Sequence, residues 1–195
     1  MSGAKRIIIC GGGVIGCAIA YFLSRRGARP FVVERHAVAG SASGKSGGFL
    51  AYDWCRGSAL DDLARRSFDL HAELAAALGN PWGYRRLDTY GGYADASKGA
   101  PANKCAQGGG RGPWLSPSVQ LTGPLGSPRT TALVEPHASP TGLMGAAEAA
   151  GAELRMGAVT ELERRADGAV CGVVLATGET IEGDAVVIGL GPWSA

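Results

Sequence analysis

Residues 6–35 read RIIICGGGVIGCAIAYFLSRRGARPFVVER, and this stretch decides the fold. Its isoleucines, residues 7–9, form a β-branched run without a polar break, which is typical of a central strand buried on both faces. Helical spacing follows over residues 14–26, and Gly27 stands where a helix C-cap glycine is expected. Residues 31–34 form a second strand-like run. The stretch therefore predicts a strand, a helix and a second strand, the repeating unit of α/β folds.

The glycines between the first strand and the helix indicate a binding site. Gly11, Gly13 and Gly16 match the pattern G-x-G-x-x-G. Gly11 allows the tight turn, Gly13 lets a pyrophosphate approach the backbone, and Gly16 lets the helix pack closely on the sheet. The helix N-terminus offers N–H groups and a positive dipole end to phosphates. Glu34 follows at the place of the acid that accepts hydrogen bonds from a ribose. Together these residues predict a Rossmann-like dinucleotide site.

A targeting segment is the alternative interpretation of the same stretch. Residues 7–23 are nearly all apolar and lie between two pairs of basic residues, and their number reaches the lower limit for a membrane span, roughly 17 residues. Three consecutive glycines argue against a stable helix in lipid, and residues 21–26 make a poor signal-peptide cleavage region. We therefore expect no membrane span.

Composition and charge limit the binding partners and the cellular location that we expect. The formal net charge is +2 and no basic run occurs, so no nucleic-acid partner is expected. The five cysteines are odd in number, widely spaced and without a C-x-x-C pair, so neither a disulfide framework nor a metal site is indicated. Without a signal peptide, the reducing cytoplasm is the expected location.

Helices and short strands alternate along the rest of the chain. Residues 58–78 show mostly helical spacing that stops at Gly79, and Pro140 begins another helical stretch that stops at Gly151. Residues 91–128 are rich in glycine, proline and serine without periodicity, which predicts a long loop or an irregular insertion. Further strands are predicted at residues 84–90, 130–134, 153–156, 159–163, 170–175, 180–181 and 185–188. The last strand ends in glycines, as strands do at the ligand-binding carboxyl edge of a doubly wound sheet.

Three segments together resemble a known family. They read CGGGVIGCAIAYFLSRRGARPFVVER over residues 10–35, SASGKSGGFLAYDWC over residues 41–55 and DAVVIGLGPWS over residues 184–194. They resemble the FAD-dependent oxidoreductases of the D-amino-acid oxidase superfamily, to which glycine oxidase and sarcosine oxidase belong. The second segment is most similar to a plant and fungal cytosolic group. Family members continue well beyond the GPWS motif, so the resemblance concerns their N-terminal portion.

The resemblance implies an α/β, Rossmann-like FAD-binding fold with a β-meander and an incomplete substrate domain. Residues 1–83 and 130–195 would form a discontinuous FAD-binding domain, and residues 84–129 a partial substrate domain or an irregular insertion. The residues implied to hold the FAD pyrophosphate are Gly11, Gly13, Val14, Ile15 and Gly16. Those implied to run toward the isoalloxazine are Ser43, Ser46, Gly47, Gly48 and Phe49. The adenosine end would be met by Glu34, Arg35 and the backbone of Val159, and Gly191 would pack close to the cofactor.

In such enzymes the flavin takes a hydride from the carbon that bears an amine, giving an imine that hydrolyses. The resemblance therefore implies a small-molecule amine or amino-acid substrate, but it assigns no catalytic residue here. The resemblance assigns no counterpart here to the arginine and tyrosine that clamp the substrate carboxylate in amino-acid oxidases. We accordingly expect the 195-residue chain to expose an apolar patch, to bind FAD weakly or not at all and to lack oxidase turnover. Two alternatives stay open, a truncated, non-catalytic nucleotide-binding fragment and an NAD-dependent dehydrogenase, and no oligomeric state is indicated.

Overall fold

The computed structural model describes residues 5–94, 115 and 118–194. The chain divides into two compact units. The first comprises Met1–Gly48, Ala75–Gly83 and Glu135–Ala195, and the second comprises Phe49–Leu74 and Tyr84–Val134.

Three α-helices and twelve strands lie within the described residues. The helices are α1 (Val14–Ser24), α2 (Asp61–Ala77) and α3 (Ala138–Ala149). The strands are β1 (Ile7–Cys10), β2 (Phe31–Glu34), β3 (Phe49–Ala51), β4 (Arg85–Arg86), β5 (Thr89–Ala94), β6 (Val119–Gly126), β7 (Thr131–Leu133), β8 (Glu153–Met156), β9 (Val159–Arg164), β10 (Val170–Leu175), β11 (Thr180–Glu182) and β12 (Ala185–Ile188).

The first unit is built on a four-stranded parallel sheet in the order β12–β1–β2–β8. β1 lies between β12 and β2, and Ile8 and Ile9 at its centre are fully buried. Neither face of this strand meets water, which explains its unbroken β-branched run. The parallel order, with α1 connecting β1 to β2, confirms the α/β, Rossmann-like prediction.

Helices cover one face of this sheet, and an antiparallel meander covers the other. α1 packs against α3, and Ile9 faces α1, because a Cβ placed on Gly16 would lie 3.3 Å from Ile9 Cγ2. β9, β10 and β11 form the meander in the order β11–β10–β9. One buried cluster joins sheet and meander, and its members are Ile8, Cys10, Val33, Val173, Leu175 and Ile181. Alternate residues of β1 therefore serve different layers, as the two-residue repeat of a strand requires.

Gly27 ends α1 as the sequence predicts. Its φ is +81°, its N–H donates to the Ser24 carbonyl, and the Ala28 N–H donates to the Leu23 carbonyl. These two bonds make a Schellman motif, in which glycine takes the left-handed position. α1 is eleven residues long. Across residues 5–94, 115 and 118–194, no helix combines the length and the apolar character that crossing a bilayer demands.

The second unit contains an antiparallel sheet and a two-stranded ribbon. The sheet has the order β3–β7–β4, and the ribbon pairs β5 with β6. Phe68 of α2 is buried beside the sheet, with its ring centroid 5.6 Å from that of Tyr52. The Arg86 guanidinium covers the Phe68 ring at 4.7 Å.

The ribbon corrects the loop predicted over residues 91–128. Residues 91–94 lie in β5, and 119–126 form β6. A Cβ on Gly91 would come 2.6 Å from Thr122 Oγ1, so these glycines permit a close pairing that side-chain alternation could not signal. Residues 95–114 and 116–117 of the predicted loop lie outside the described residues.

The compact units also differ from the predicted domain boundaries. Residues 49–74 and 130–134, which the sequence assigns to the FAD-binding domain, fall within the second unit. The physical reason is strand pairing, since β7 pairs with β3 on one side and with β4 on the other. The functional division of the chain into an FAD-binding and a substrate domain stays a prediction.

We predict that Gly16→Ala lowers the free energy of unfolding by about 1–3 kcal/mol, the usual range for overpacked cores. The added Cβ would collide with the backbone carbonyl oxygen of Gly11. Gly145→Ala is the matched control, because this glycine of α3 has open space where its Cβ would stand. Helix propensity should then leave stability unchanged or raise it by up to about 1 kcal/mol. Urea denaturation of the ligand-free variants measures the free energy of unfolding in both cases. An unchanged free energy of unfolding in Gly16→Ala would show that α1 can move away from β1 without loss of stability.

Candidate functional site

The turn from β1 to α1 lies where the carboxyl ends of β12, β1 and β2 meet. Gly11 begins this turn with a φ of +110°, a conformation that L side chains rarely adopt. A Cβ on Gly11 would come 2.5 Å from the Gly189 carbonyl oxygen, just after β12. The Gly11 N–H donates to the Val33 carbonyl at 2.7 Å, and the Gly189 N–H donates to the Cys10 carbonyl at 2.8 Å. The turn is therefore held between the ends of both neighbouring strands.

A serine from the following loop caps the N-terminus of α1. Gly13 precedes the helix and has no side chain to cap it, but Ser43 Oγ accepts a hydrogen bond from the Val14 N–H at 3.0 Å. Ser43 begins a 3₁₀ turn over Ser43–Lys45. The first amides of a helix lack partners within the helix, and together with the helix dipole they attract anions. The hydroxyl and these amides are suited to phosphate oxygens.

Glu34 joins the end of β2 to the glycine turn. Its Oε2 accepts a hydrogen bond from the Gly12 N–H at 2.7 Å, and its Oε1 accepts one from the His36 N–H at 2.9 Å. Each carboxylate oxygen can accept more than one hydrogen bond. The Glu34 carboxylate therefore fixes the turn and still has capacity for ribose-type hydroxyl donors.

These groups line a cavity of about 420 Å³. This volume lies within the usual range for small-molecule sites, roughly 300–1,000 Å³. The cavity walls are the β1–α1 turn, the residues that follow β2 and β12, and residues 157–159 between β8 and β9. Glu34 and Arg35 carry the charges among its described lining residues, and the Arg35 guanidinium lies over the Trp193 ring.

The cavity brings together most of the cofactor residues that the sequence predicts. Those that line it are Gly11, Gly13, Val14, Ile15, Glu34, Arg35, Ser43, Val159 and Gly191. Gly16 lies behind the turn, where its close approach to the Gly11 carbonyl lets α1 pack on β1. That any of these residues binds a cofactor stays a prediction.

Besides Gly16, four predicted residues are not among those lining the cavity. Ser46, Gly47 and Gly48 follow the 3₁₀ turn, and Ser46 Oγ donates to the Ser43 carbonyl at 3.2 Å. Phe49 is the first residue of the second unit, where its ring lies 5.1 Å from that of Trp54. The sequence reveals a loop rich in glycine and serine, but it does not predict which serine hydroxyl contacts the N-terminus of α1.

Sequence reasoning missed several residues of the cavity wall. They include Gly12, Val33, Ala37, Ala39, Gly157, Ala158, Leu190 and Trp193. Gly12 stood inside the glycine pattern, and Trp193 stood inside the GPWS motif, so both segments carried a signal. Gly157 and Ala158 join β8 to β9 and had no motif that marked them.

Two buried thiols, Cys10 and Cys17, lie next to the turn. The Cys17 thiol donates to the Gly12 carbonyl at 3.3 Å. Burial raises the pKa of Cys10 to about 11, and burial with a smaller effect of the Glu34 charge raises the pKa of Cys17 to about 12. Because the thiolate is the reactive form, these cysteines act as packing groups at neutral pH. No three potential metal ligands cluster in the described part of the chain.

We predict that iodoacetamide at pH 8 labels Cys55 and Cys171 well before Cys10 and Cys17. The first two thiols are partly exposed, whereas the last two are buried with raised pKa values. Peptide mass spectrometry after brief labelling measures this, and labelling in urea is the control. Equal labelling of these four cysteines without urea would show that the turn opens readily.

The same two thiols predict how stability depends on pH. Since their pKa values in the folded state exceed those in the unfolded state, the free energy of unfolding should fall as pH rises from about 9 to 12.

Comparison with known proteins agrees with this architecture. The chain matches the family model described as FAD dependent oxidoreductase (DAO) over residues 6–195. A putative oxidoreductase of Schizosaccharomyces pombe is 35% identical over 146 residues, which are 70% of this chain and 37% of that protein. The putative oxidoreductase TDA3 of Saccharomyces cerevisiae is 41% identical over 101 residues, which are 48% of this chain and 18% of that protein.

Solved structures share the fold. Glycine oxidase from Bacillus cereus has a TM-score of 0.77 at 24% identity, over 97% of this chain and 57% of that chain. L-Amino acid deaminase from Proteus myxofaciens has a TM-score of 0.73 at 21% identity, over all of this chain and 47% of that chain. The chain thus spans about half the length of these solved relatives. Because the family model matches nearly every residue, the chain belongs to the FAD-dependent oxidoreductase (DAO) family.

Proposed function

We propose that this chain binds FAD at the carboxyl edge of its parallel sheet and serves an oxidoreductase that acts on the C–N bond of an amino acid or amine. The observation that carries the proposal is the cavity, which a glycine turn, a helix N-terminus, Ser43 and Glu34 line together in a chain of an FAD-dependent family.

The phosphate-facing side of the cavity fits a pyrophosphate. The space beside Gly13 is open only because this residue lacks a Cβ, which would stand 3.1 Å from Ser43 Oγ. Ser43 Oγ accepts the Val14 N–H there, and the Ser43 O–H remains able to donate to a phosphate oxygen. The α1 dipole adds a positive end in the same direction.

Other residues of the same cavity fit an adenosine. Glu34 presents a carboxylate at the end of β2, the position from which an acid reaches ribose hydroxyls. Residues 157–159 add a backbone wall without charge, and Arg35 adds a guanidinium. These features would also suit the adenosine of NAD, and family membership favours FAD between the two.

The names of similar solved structures support the proposed substrate class. FAD, when bound, accepts a hydride from the carbon atom that bears the amine. The chain's own part is to hold the pyrophosphate and adenosine, which orients the cofactor. Glycine oxidase, L-amino acid deaminase and iminodiacetate oxidase are all named for compounds with an amine nitrogen, which supports an amine or amino-acid substrate.

Nucleotide titrations test the cofactor. The sequence predicts that the 195-residue chain binds FAD weakly or not at all, and the cavity supports the first of these outcomes. We therefore expect FAD to bind weakly but saturably, as followed by flavin fluorescence, with ADP as a competitor and NAD⁺ as a poorer one. Gly13→Val should abolish binding, because its branched side chain would fill the space between α1 and Ser43. Circular dichroism would show that the variant is folded. Binding of NAD⁺ without FAD, or unchanged FAD binding by folded Gly13→Val, would contradict the proposed site.

The same FAD-loaded protein tests the substrate class. Anaerobic reduction of the flavin by glycine, sarcosine or another amino acid, but not by NADH, would support C–N oxidation. FAD binding without reduction by any amine would favour the alternative of a nucleotide-binding fragment without catalysis.

We predict that Glu34→Ala weakens FAD binding by roughly 1.5–3 kcal/mol, the scale of charge-assisted hydrogen bonds. The variant loses the carboxylate that faces the cavity and that accepts the Gly12 and His36 amides. Glu161→Ala on β9 removes an exposed carboxylate and is the matched control. Fluorescence titration gives the affinity, and urea denaturation shows how much stability is lost. An FAD dissociation constant within twofold of wild type would mean that Glu34 serves only the turn.

A further inference from the structure

One side-chain contact joins the segments that follow β2 and β12. Arg35 comes directly after β2, and Trp193 lies in a 3₁₀ turn, Gly191–Trp193, after β12. The Arg35 Cζ atom lies 5.1 Å from the centroid of the Trp193 ring, and both residues line the cavity. Since β1 lies between β2 and β12, this contact spans the carboxyl end of β1.

The Trp193 ring is a contact partner of the Arg35 guanidinium. The neighbouring Glu34 carboxylate is engaged by the Gly12 and His36 amides. Among residues 5–94, 115 and 118–194, no carboxylate forms a salt bridge with Arg35. A guanidinium over an indole face is attracted by the ring quadrupole, and its flat shape allows stacking that an ammonium cannot reproduce.

The turn after β12 fixes the tryptophan. Gly191 has a φ of +59°, and Pro192 restricts the next position. The Trp193 N–H donates to the Leu190 carbonyl at 3.3 Å, and the Ser194 N–H donates to the Gly191 carbonyl at 3.1 Å. The indole is nevertheless 52% exposed, so its burial alone does not account for its orientation toward Arg35.

We infer that Trp193 is a positioning residue, which holds the Arg35 guanidinium at the adenosine end of the cavity so that the two act as one recognition unit. The inference rests on the proposed function. Arg35 follows Glu34, the residue proposed to meet the ribose, and it lines the same cavity as residues 157–159, which are proposed to meet the adenosine. A guanidinium is planar, so one of its faces can contact the indole while the other is offered to an adenine ring.

A double-mutant cycle on nucleotide affinity tests this coupling. ADP, FAD and inorganic pyrophosphate are the probes, the last by competition with FAD. Trp193→Ala should weaken ADP and FAD binding roughly 3- to 10-fold and leave pyrophosphate affinity within twofold. Trp193→Phe should have ADP and FAD affinities between those of wild type and Trp193→Ala, because phenylalanine is a weaker partner for a cation. In an Arg35→Ala background, Trp193→Ala should cause less than a further twofold change. Arg26→Ala, which removes an exposed arginine after α1, is the control.

The outcomes separate this inference from the proposed function. Wild-type affinity for ADP in Trp193→Ala would overturn it, and so would an equal loss of pyrophosphate affinity or the full effect in the Arg35→Ala background. In each of these cases the FAD site itself would stand. A wild-type protein that binds neither ADP nor FAD would overturn the proposed function, and this inference with it.

Discussion

Three stretches of backbone meet at the start of α1 with no room for a side chain. A Cβ on Gly11 would press on the Gly189 carbonyl, and one on Gly16 would collide with the Gly11 carbonyl. This contact lets α1 lie directly on β1 and brings its N-terminus to the carboxyl edge of the sheet. The N–H groups of the first turn, the Ser43 hydroxyl and the Glu34 carboxylate then surround one cavity. The candidate site is thus a consequence of close backbone packing, to which few charged side chains contribute.

The covered sheet gives this edge its rigidity. Ile9 faces the helices, whereas Ile8 and Cys10 face the meander, so each side of β1 meets apolar side chains. Fully burying such an isoleucine stabilises a protein by roughly 1.5–3 kcal/mol. The same packing raises the pKa values of Cys10 and Cys17 and keeps both thiols protonated. Hydrogen bonds join the turn to the ends of both neighbouring strands, which suits a preorganised binding site.

Glu34 shows how one side chain can serve both the fold and the site. Its two oxygens accept backbone amides from the glycine turn and from the residue after Arg35, which closes the turn against β2. A ligand hydroxyl would meet a carboxylate that is already oriented. The Arg35–Trp193 contact orders the neighbouring wall in a similar way, with an aromatic face in place of amide donors.

The sequence by itself determined the strand–helix–strand unit, the glycine turn and the family, because these depend on local features. A β-branched run, a glycine that must take positive φ and an acid at a strand end are all visible in residues 6–35. Strand partners were decided only by the tertiary structure. β8 joins the parallel sheet while β9–β11 form the meander, although the sequence predicts all four alike as short strands. Residues 91–94 form part of a two-stranded ribbon that the sequence did not predict, because glycines interrupt the side-chain alternation. Arg35 contacts Trp193, which is distant in the sequence. Local patterns encode burial and backbone conformation, whereas partners distant in sequence are selected by packing of the whole chain.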